Sequence, residues 1–297
     1  MNKNLLLGVV FALISTFLYS SLTAVIKIGA ETLPLPMIVF TQMAVGLLVG
    51  VLLLFRQGMH SFRRVTKTQK ILLHVLRGMG SLGVSYCMFS SVKYIPLVNA
   101  VLLANTTPLI VPFIAFILFS QPINHRLWVP MLVGFVGVVL VMNPDSSIFN
   151  PASFIALGSA GCIAISMLLV KKISATDSVE TGTFYFFLFG TIMSGIVAIK
   201  YWVSMPLPIW GVLGLIGLMY AGSQYTITAA LRYGSAQLMS CMLYTNIVFS
   251  VFISAIVWHI FPSLMISMGV LLTVIGGIFC IRAEHLFQRG SVQLSCQ

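Results

Sequence analysis

Long apolar runs, each interrupted by a short stretch of proline, glycine or charge, account for nearly all of this chain. A membrane-crossing helix needs roughly 20 such residues, somewhat fewer where neighbours shield it. Ten runs qualify, at about 5–28, 35–55, 71–92, 97–119, 127–143, 151–170, 180–200, 208–230, 235–258 and 264–282. Several joints carry proline, as at Leu33-Pro34-Leu35-Pro36, Asn143-Pro144, Met205-Pro206-Leu207-Pro208 and Phe261-Pro262. Only Arg56 to Lys70 makes a polar loop of real length. Strands of a closed β-barrel need only about 10 residues and alternate in polarity, so run length excludes that architecture. The first run continues from Leu5 to about Ile28 without a small-residue cleavage site, and is expected to be a retained helix rather than a signal peptide.

The two halves resemble each other. Ser85-Tyr86, Lys93-Tyr94, Asn105-Thr106-Thr107 and Gly137 recur 139 residues later as Gln224-Tyr225, Arg232-Tyr233, Tyr244-Thr245-Asn246 and Gly276. Gly83 likewise matches Gly222, and Phe113 matches Phe252. In a second register, 144 residues apart, Ala12-Leu13, Ser15 and Lys27 match Ala156-Leu157, Ser159 and Lys171, which implies a small insertion in the first half. The units are then residues 1–143 and 151–285, joined by 144–150 and followed by a C-terminal tail at 286–297. Five helices per half is an odd number, so the second half enters the membrane from the opposite side. The expected fold is all-α and integral to the membrane, with ten transmembrane helices as two inverted five-helix repeats. Carriers that rock one bundle against another around a shared site are built this way.

Composition and charge narrow the setting. Hydrophobic residues are 59% of the chain, charged residues 7%, and the mean hydropathy is +1.06. No soluble domain of this length has interior enough for that much apolar side chain, so the solvent is lipid. An excess of 16 Lys+Arg over 5 Asp+Glu would suggest nucleic acid in a soluble chain. Here the basic residues sit in short loops and set orientation instead. With the N-terminus inside, twelve fall on the cytoplasmic side and only Lys27, Lys93 and Lys200 outside, leaving Arg77 within the third helix. Both termini are therefore expected in the cytoplasm, in the inner membrane of a cell. The expected partners are the bilayer and a small-molecule solute, with no nucleic acid; a homodimer stays open.

No enzymatic, metal or cofactor chemistry is expected. The five cysteines lack metal-ligand or disulfide spacing. A phosphate-cradling Gly-rich loop, a His-Glu metal motif and a nucleophile elbow are all missing from the sequence. An inverted repeat without a filter or a ring of like charges also disfavours a channel. No Asp or Glu falls in the middle of a span, and His74 and His259 stand at helix ends. Neither histidine is expected to be a dedicated coupling site, which favours facilitated diffusion or exchange.

Polar groups in hydrocarbon are costly, so a face that gathers them lines a cavity or another helix. On the third helix Arg77, Ser81 and Ser85 lie four apart, among Gly78, Gly80 and Gly83. The repeat places Tyr220 opposite Ser81 and Gln224 opposite Ser85, while the counterpart of Arg77 is Ile216. Arg77 has two readings: a side chain snorkelling to the surface, or a planar fork that holds a carboxylate or phosphate of the solute. The fourth helix carries Asn105, Thr106, Thr107 and Pro108. A proline there frees backbone carbonyls, which are tolerated at that depth only beside protein or a water-filled cavity. Either threonines satisfy a packing kink, or Asn105 and Thr106 reach a cavity. The matching Tyr244-Thr245-Asn246 has no proline, so the two gates need not be equivalent. Tyr19, with Ser15 and Thr23 on its face, and Tyr220, Tyr225 and Tyr244 supply aromatic walls or ordinary packing. Gly134, Gly137, Gly269, Gly276 and Gly277 are expected to allow close helix contact.

Ten helices in inverted halves with these motifs resemble the drug/metabolite transporter superfamily, specifically its EamA-type members. The resemblance runs from about Leu5 to Arg282. It is most specific at Arg77-Gly78, Pro96-Leu97, Ala100, Leu103, Thr107-Pro108-Leu109, Arg126 and Gly134-Phe135-Val136-Gly137-Val138. That stretch is similar to the subset that includes S-adenosylmethionine uptake proteins. The resemblance implies a midplane solute site between helices one, three and four and their counterparts six, eight and nine. It would be lined by Tyr19, Arg77, Ser81, Ser85, Asn105, Thr106, Tyr220, Gln224, Tyr244 and Asn246. EamA-type halves commonly end their fourth helix in a Gly-Glu step, but Gln121 and Ile260 stand in those places here. The resemblance implies secondary transport of a small organic metabolite by alternating access, facilitative or exchange; with Arg77 holding an anionic group, the expected solute is anionic or zwitterionic and amino-acid- or nucleoside-like. Drug or organic-cation export and a non-transporting membrane assembly subunit are the alternatives.

Overall fold

The computed structural model describes residues 3–29, 33–56, 65–120 and 123–295; Arg63, Arg64 and Gln121 lie outside the described residues. The described residues form α1 (Lys3–Gly29), α2 (Leu35–Arg56), α3 (Ile71–Val92), α4 (Leu97–Ala104), α5 (Thr107–Phe119) and α6 (Trp128–Met142). The second half contributes α7 (Ser153–Ile173), α8 (Val179–Ala198), α9 (Leu207–Tyr233), α10 (Ala236–Met242), α11 (Thr245–Val257) and α12 (Leu264–Ser295). Among the described residues ten spans are long and apolar enough to cross a membrane, α4–α5 and α10–α11 each making one span in two pieces. α12 runs on to Ser295, through most of the segment expected as a tail. No proline falls between Ala283 and Ser295 to break the helix there.

The two broken spans are interrupted in different ways. Pro108 has no N–H for the Ala104 carbonyl, and the Thr107 hydroxyl donates to that oxygen at 2.7 Å. Thr106 does the same for Leu103 at 2.6 Å. The ninth span breaks at the repeat-equivalent place without a proline. There the backbone tightens, with the Asn246 N–H reaching Leu243 and Ile247 reaching Tyr244, three residues back. Thr245 donates to Met242 at 2.6 Å, the same bond one repeat later. The expected asymmetry between the two spans is therefore one of sequence, and both backbones are interrupted.

Helix pairing follows the repeat. α1 packs along α9, and its counterpart α7 packs along α3. α2 with α8, and α6 with α12, are pairs that the repeat maps onto themselves. The α6–α12 contact depends on glycine: a Cβ on Gly276 would lie 2.6 Å from the Gly134 backbone nitrogen and 2.9 Å from the Pro130 carbonyl oxygen. The α1–α9 seam is held by Ser15, whose hydroxyl donates to Ser223 O at 2.8 Å while Ser223 donates to Ser15 O at 3.1 Å. At the start of α8 the Ser178 hydroxyl accepts from the Thr181 N–H at 3.2 Å and fixes the entry of that helix.

Candidate functional site

Arg77 stands two turns into α3 and is 2% exposed, so its side chain does not reach the surface. Nη1 donates to the Gly182 carbonyl of α8 at 2.9 Å, and Nη2 donates to Thr228 Oγ1 of α9 at 3.1 Å. The guanidinium lies 4.5 Å from the centroid of the Phe186 ring. Thr228 can accept because its own hydrogen goes to the Gln224 carbonyl at 2.7 Å. One residue thereby ties three helices together. Among the described residues no carboxylate comes within ion-pair reach of the guanidinium.

Around this cation the fold gathers part of the expected set. Tyr220, 7% exposed, places its hydroxyl beside Ser81 and Gln224, with Arg77 and Tyr19 as electrostatic neighbours. Tyr220 packs on Phe186 and Phe187, with centroids 6.5 and 6.1 Å apart. Ser85 donates to the Ser81 carbonyl at 3.3 Å, within its own helix. Tyr19 is 41% exposed although it lies well inside α1. Arg77, Ser81, Tyr220, Gln224 and Tyr19 thus form one group.

The remaining expected residues lie elsewhere. Asn105 donates to Val101 O at 2.8 Å and Thr106 to Leu103 O, so both side chains serve their own backbone. Asn246 accepts from Ser20 at its carbonyl oxygen at 2.8 Å and also pairs with Ser20 through Oδ1. With the Thr16–Thr245 hydroxyl contact at 2.9 Å, this clasps α1 to the break in the ninth span. Tyr244 is 2% exposed and packs with Leu102, Val138 and Ile247, its ring 6.5 Å from that of Phe135. Its buried hydroxyl has no partner among the described residues. Sequence reasoning missed Thr228, Gly182 and Phe186. Thr228 was legible, because it continues the four-residue ladder of Tyr220 and Gln224. Gly182 acts through its carbonyl, which no side-chain pattern announces.

A cavity of about 350 Å³ opens between α2, α8 and α9, lined mainly by apolar groups such as Leu53, Phe187 and Leu218, with Glu180 and Tyr225 among its polar groups. None of the ten expected residues lines it. Two acids outside the membrane-spanning segments are held ionised. Partial burial pushes the Asp177 carboxyl up, but hydrogen bonds from Thr68, His74 and Thr176 outweigh that and keep its pKa below the ordinary aspartate value. Asp145 is lowered by hydrogen bonds from Ser147 and Asn99. Among the described residues no three His, Cys, Asp or Glu side chains gather closely enough to hold a metal ion.

The model of the EamA-like transporter family matches residues 6–143 and again 150–282. The chain belongs to that family. Among curated EamA-type relatives it is 29% identical over 271 residues to the pseudopaline exporter CntI of Pseudomonas aeruginosa, covering 90% of this chain and 93% of the relative. It is 25% identical to the riboflavin transporter of Vibrio cholerae, over 85% of this chain and 84% of that one. With the S-adenosylmethionine uptake transporter of Rickettsia bellii it shares 23% identity, over 75% and 76% of the two chains. A crystal structure superposes with a TM-score of 0.80 at 17% identity, covering 94% of this chain and 98% of that one, which shows the fold alone. The EamA-like family is one of transporters, and this member is a multi-pass membrane protein.

Proposed function

We propose that the chain is a secondary carrier for a small anionic or zwitterionic organic metabolite, amino-acid- or nucleoside-like, in the cytoplasmic membrane. It works by alternating access, as facilitated transport or exchange, with both termini in the cytoplasm. The observation that carries this reading is a guanidinium buried in the bundle without an acidic partner among the described residues. A buried charge normally has a counter-ion, and a solute carboxylate or phosphate supplies one with two oxygens spaced to pair with the fork. In the closed arrangement Gly182 O and Thr228 Oγ1 hold the fork. As that end opens, the solute anion takes over these donors, while Ser81, Gln224 and the tyrosines orient and enclose the rest. Relatives named for pseudopaline, riboflavin and S-adenosylmethionine support a small metabolite as cargo.

The test is a thermal-shift screen of the purified protein against amino acids, nucleotides, S-adenosylmethionine, sugar phosphates and polyamines. Stabilisation confined to anionic or zwitterionic metabolites, lost in Arg77→Ala and weakened in Arg77→Lys, is the expected result. Hits that persist unchanged in both variants would sink the role of Arg77. The apolar cavity with Glu180 favours a second reading, export of an organic cation. That reading gains if hydrophobic cations stabilise the protein and Glu180→Gln abolishes the effect.

A further inference from the structure

The end of the bundle that carries Lys3 and the starts of α3 and α8 holds a second buried polar group, one turn from Arg77. His74 is 0% exposed, and its Nε2 lies 2.9 Å from Asp177 Oδ2 in the connection between α7 and α8. The Thr68 hydroxyl donates to the same carboxylate oxygen at 2.6 Å. Tyr185 of α8 covers the imidazole, with centroids 4.9 Å apart, and is itself fixed by donating to Thr66 O at 3.0 Å. Among the described residues the fully buried Nδ1 has no partner. An ionised carboxylate only accepts, so Nε2 carries the hydrogen and Nδ1 is a bare lone pair. The titratable and charged groups facing the ring are Asp177 from the α7–α8 connection, Tyr185 from α8 and Arg77 from α3 itself. Glu180, at the start of α8, turns instead to Tyr225, with Arg232 near it.

We propose that His74 Nδ1 is a proton-binding site of this carrier, loaded when this end of the bundle opens and emptied when it closes. Asp177 attracts a charged ring. Against it, a proton on Nδ1 in the closed arrangement creates a charged N–H with no acceptor, shut away from water and one turn from a guanidinium. Burying such a donor unmet is the larger effect. In the open arrangement Nδ1 reaches water and the penalty disappears. The closed state therefore binds fewer protons, and linkage makes it gain population as pH rises, by at most about tenfold per pH unit for one site. The proton sets how often this end opens, while the solute moves by exchange or facilitated transport. The sequence alone placed His74 at a helix end without a coupling role. Its burial and its carboxylate partner come from a segment 103 residues away.

This inference rests on alternating access but not on the identity of the solute, and the experiment reads conformation directly. Spin labels are placed at the exposed positions Gln69 and Ala175, beside the start of α3 and the end of α7, in a background whose native cysteines are alanine. Distances are measured in lipid nanodiscs between pH 5.5 and 8.5. The short-distance population is expected to rise with pH in this background and to become flat in His74→Gln, which cannot titrate there. Equal pH dependence in His74→Gln, or none in the parent, overturns the proposal. Should that variant fail to fold, Asp177→Asn keeps the ring and removes its anion, and the transition must persist with its midpoint at lower pH; an unmoved midpoint is equally fatal. A distance that answers solute but not pH refutes this inference alone. One that never changes refutes alternating access with it.

Discussion

Replacing Thr228 by valine removes one oxygen and almost no volume. That oxygen accepts from Arg77 Nη2 at 3.1 Å and donates to Gln224 O at 2.7 Å. The second bond runs back along the same helix and contributes little to stability. The first crosses from α9 to α3, and its loss strands a charged donor where the side chain is only 2% exposed. Hydrogen bonds to charged groups contribute about 1.5–3 kcal/mol. Polar contacts between membrane helices average about 0.6 and reach about 1.7 kcal/mol, because the unfolded chain in lipid finds partners too. The two ranges meet near 1.5 kcal/mol, about a tenfold change in the folding equilibrium. Thr226→Val is the matched control, since among the described residues the Thr226 hydroxyl donates only within α9, to Gly222 O at 2.8 Å and Ser223 O at 3.0 Å. Equilibrium unfolding in mixed detergent micelles, followed by tryptophan fluorescence, reads both variants. If they differ by less than about 0.5 kcal/mol, the usual error of such comparisons, the Arg77 clamp contributes nothing and the reasoning fails.

Gly276→Ala forces a methyl group into the backbone of Gly134 and is expected to lower stability by about 1–3 kcal/mol, whereas Gly50→Ala, which meets open space, leaves it unchanged or slightly raised. The same unfolding assay compares them. Tyr244→Phe removes a buried hydroxyl that has no partner among the described residues, so stability should hold or rise by up to about 1 kcal/mol, with the solute-induced thermal shift intact; loss of that shift would return Tyr244 to the solute site. Asp177 has a folded pKa below its unfolded value of about 3.9, so its stabilising contribution is complete above that value and is lost as pH falls through the folded one. Melting curves at low pH should therefore show an acid-limb loss that Asp177→Asn flattens.

Hydropathy reads local composition, and local composition is enough to decide which segments enter lipid. The ten spans follow from it, since every backbone N–H in hydrocarbon must be met within its own helix, although the last helix runs well past its expected end. The break after Ala104 was also legible, because Pro108 removes a donor at a known place. The break before Thr245 was not: no residue there forbids helix, and the interruption is a tightened backbone clasped to α1 through Thr16, Ser20 and the Thr245-Asn246 step. The polar face of α3 showed that Arg77 belongs to something. Its partners stand 105 and 151 residues away, and one is a backbone carbonyl, which carries no sequence signal. Period and spacing likewise put Tyr220 and Tyr244 on equal footing. Packing separated them, turning Tyr220 toward Arg77 and Ser81 and pressing Tyr244 against Gly134 and Val138 of α6. Amino-acid type along one helix thus determined solvent, span and polar face, for these depend on free energies of single segments. Which face meets which neighbour, and which buried charge is left without a counter-ion, depended on contacts between segments far apart in the chain, and only the tertiary structure decided them.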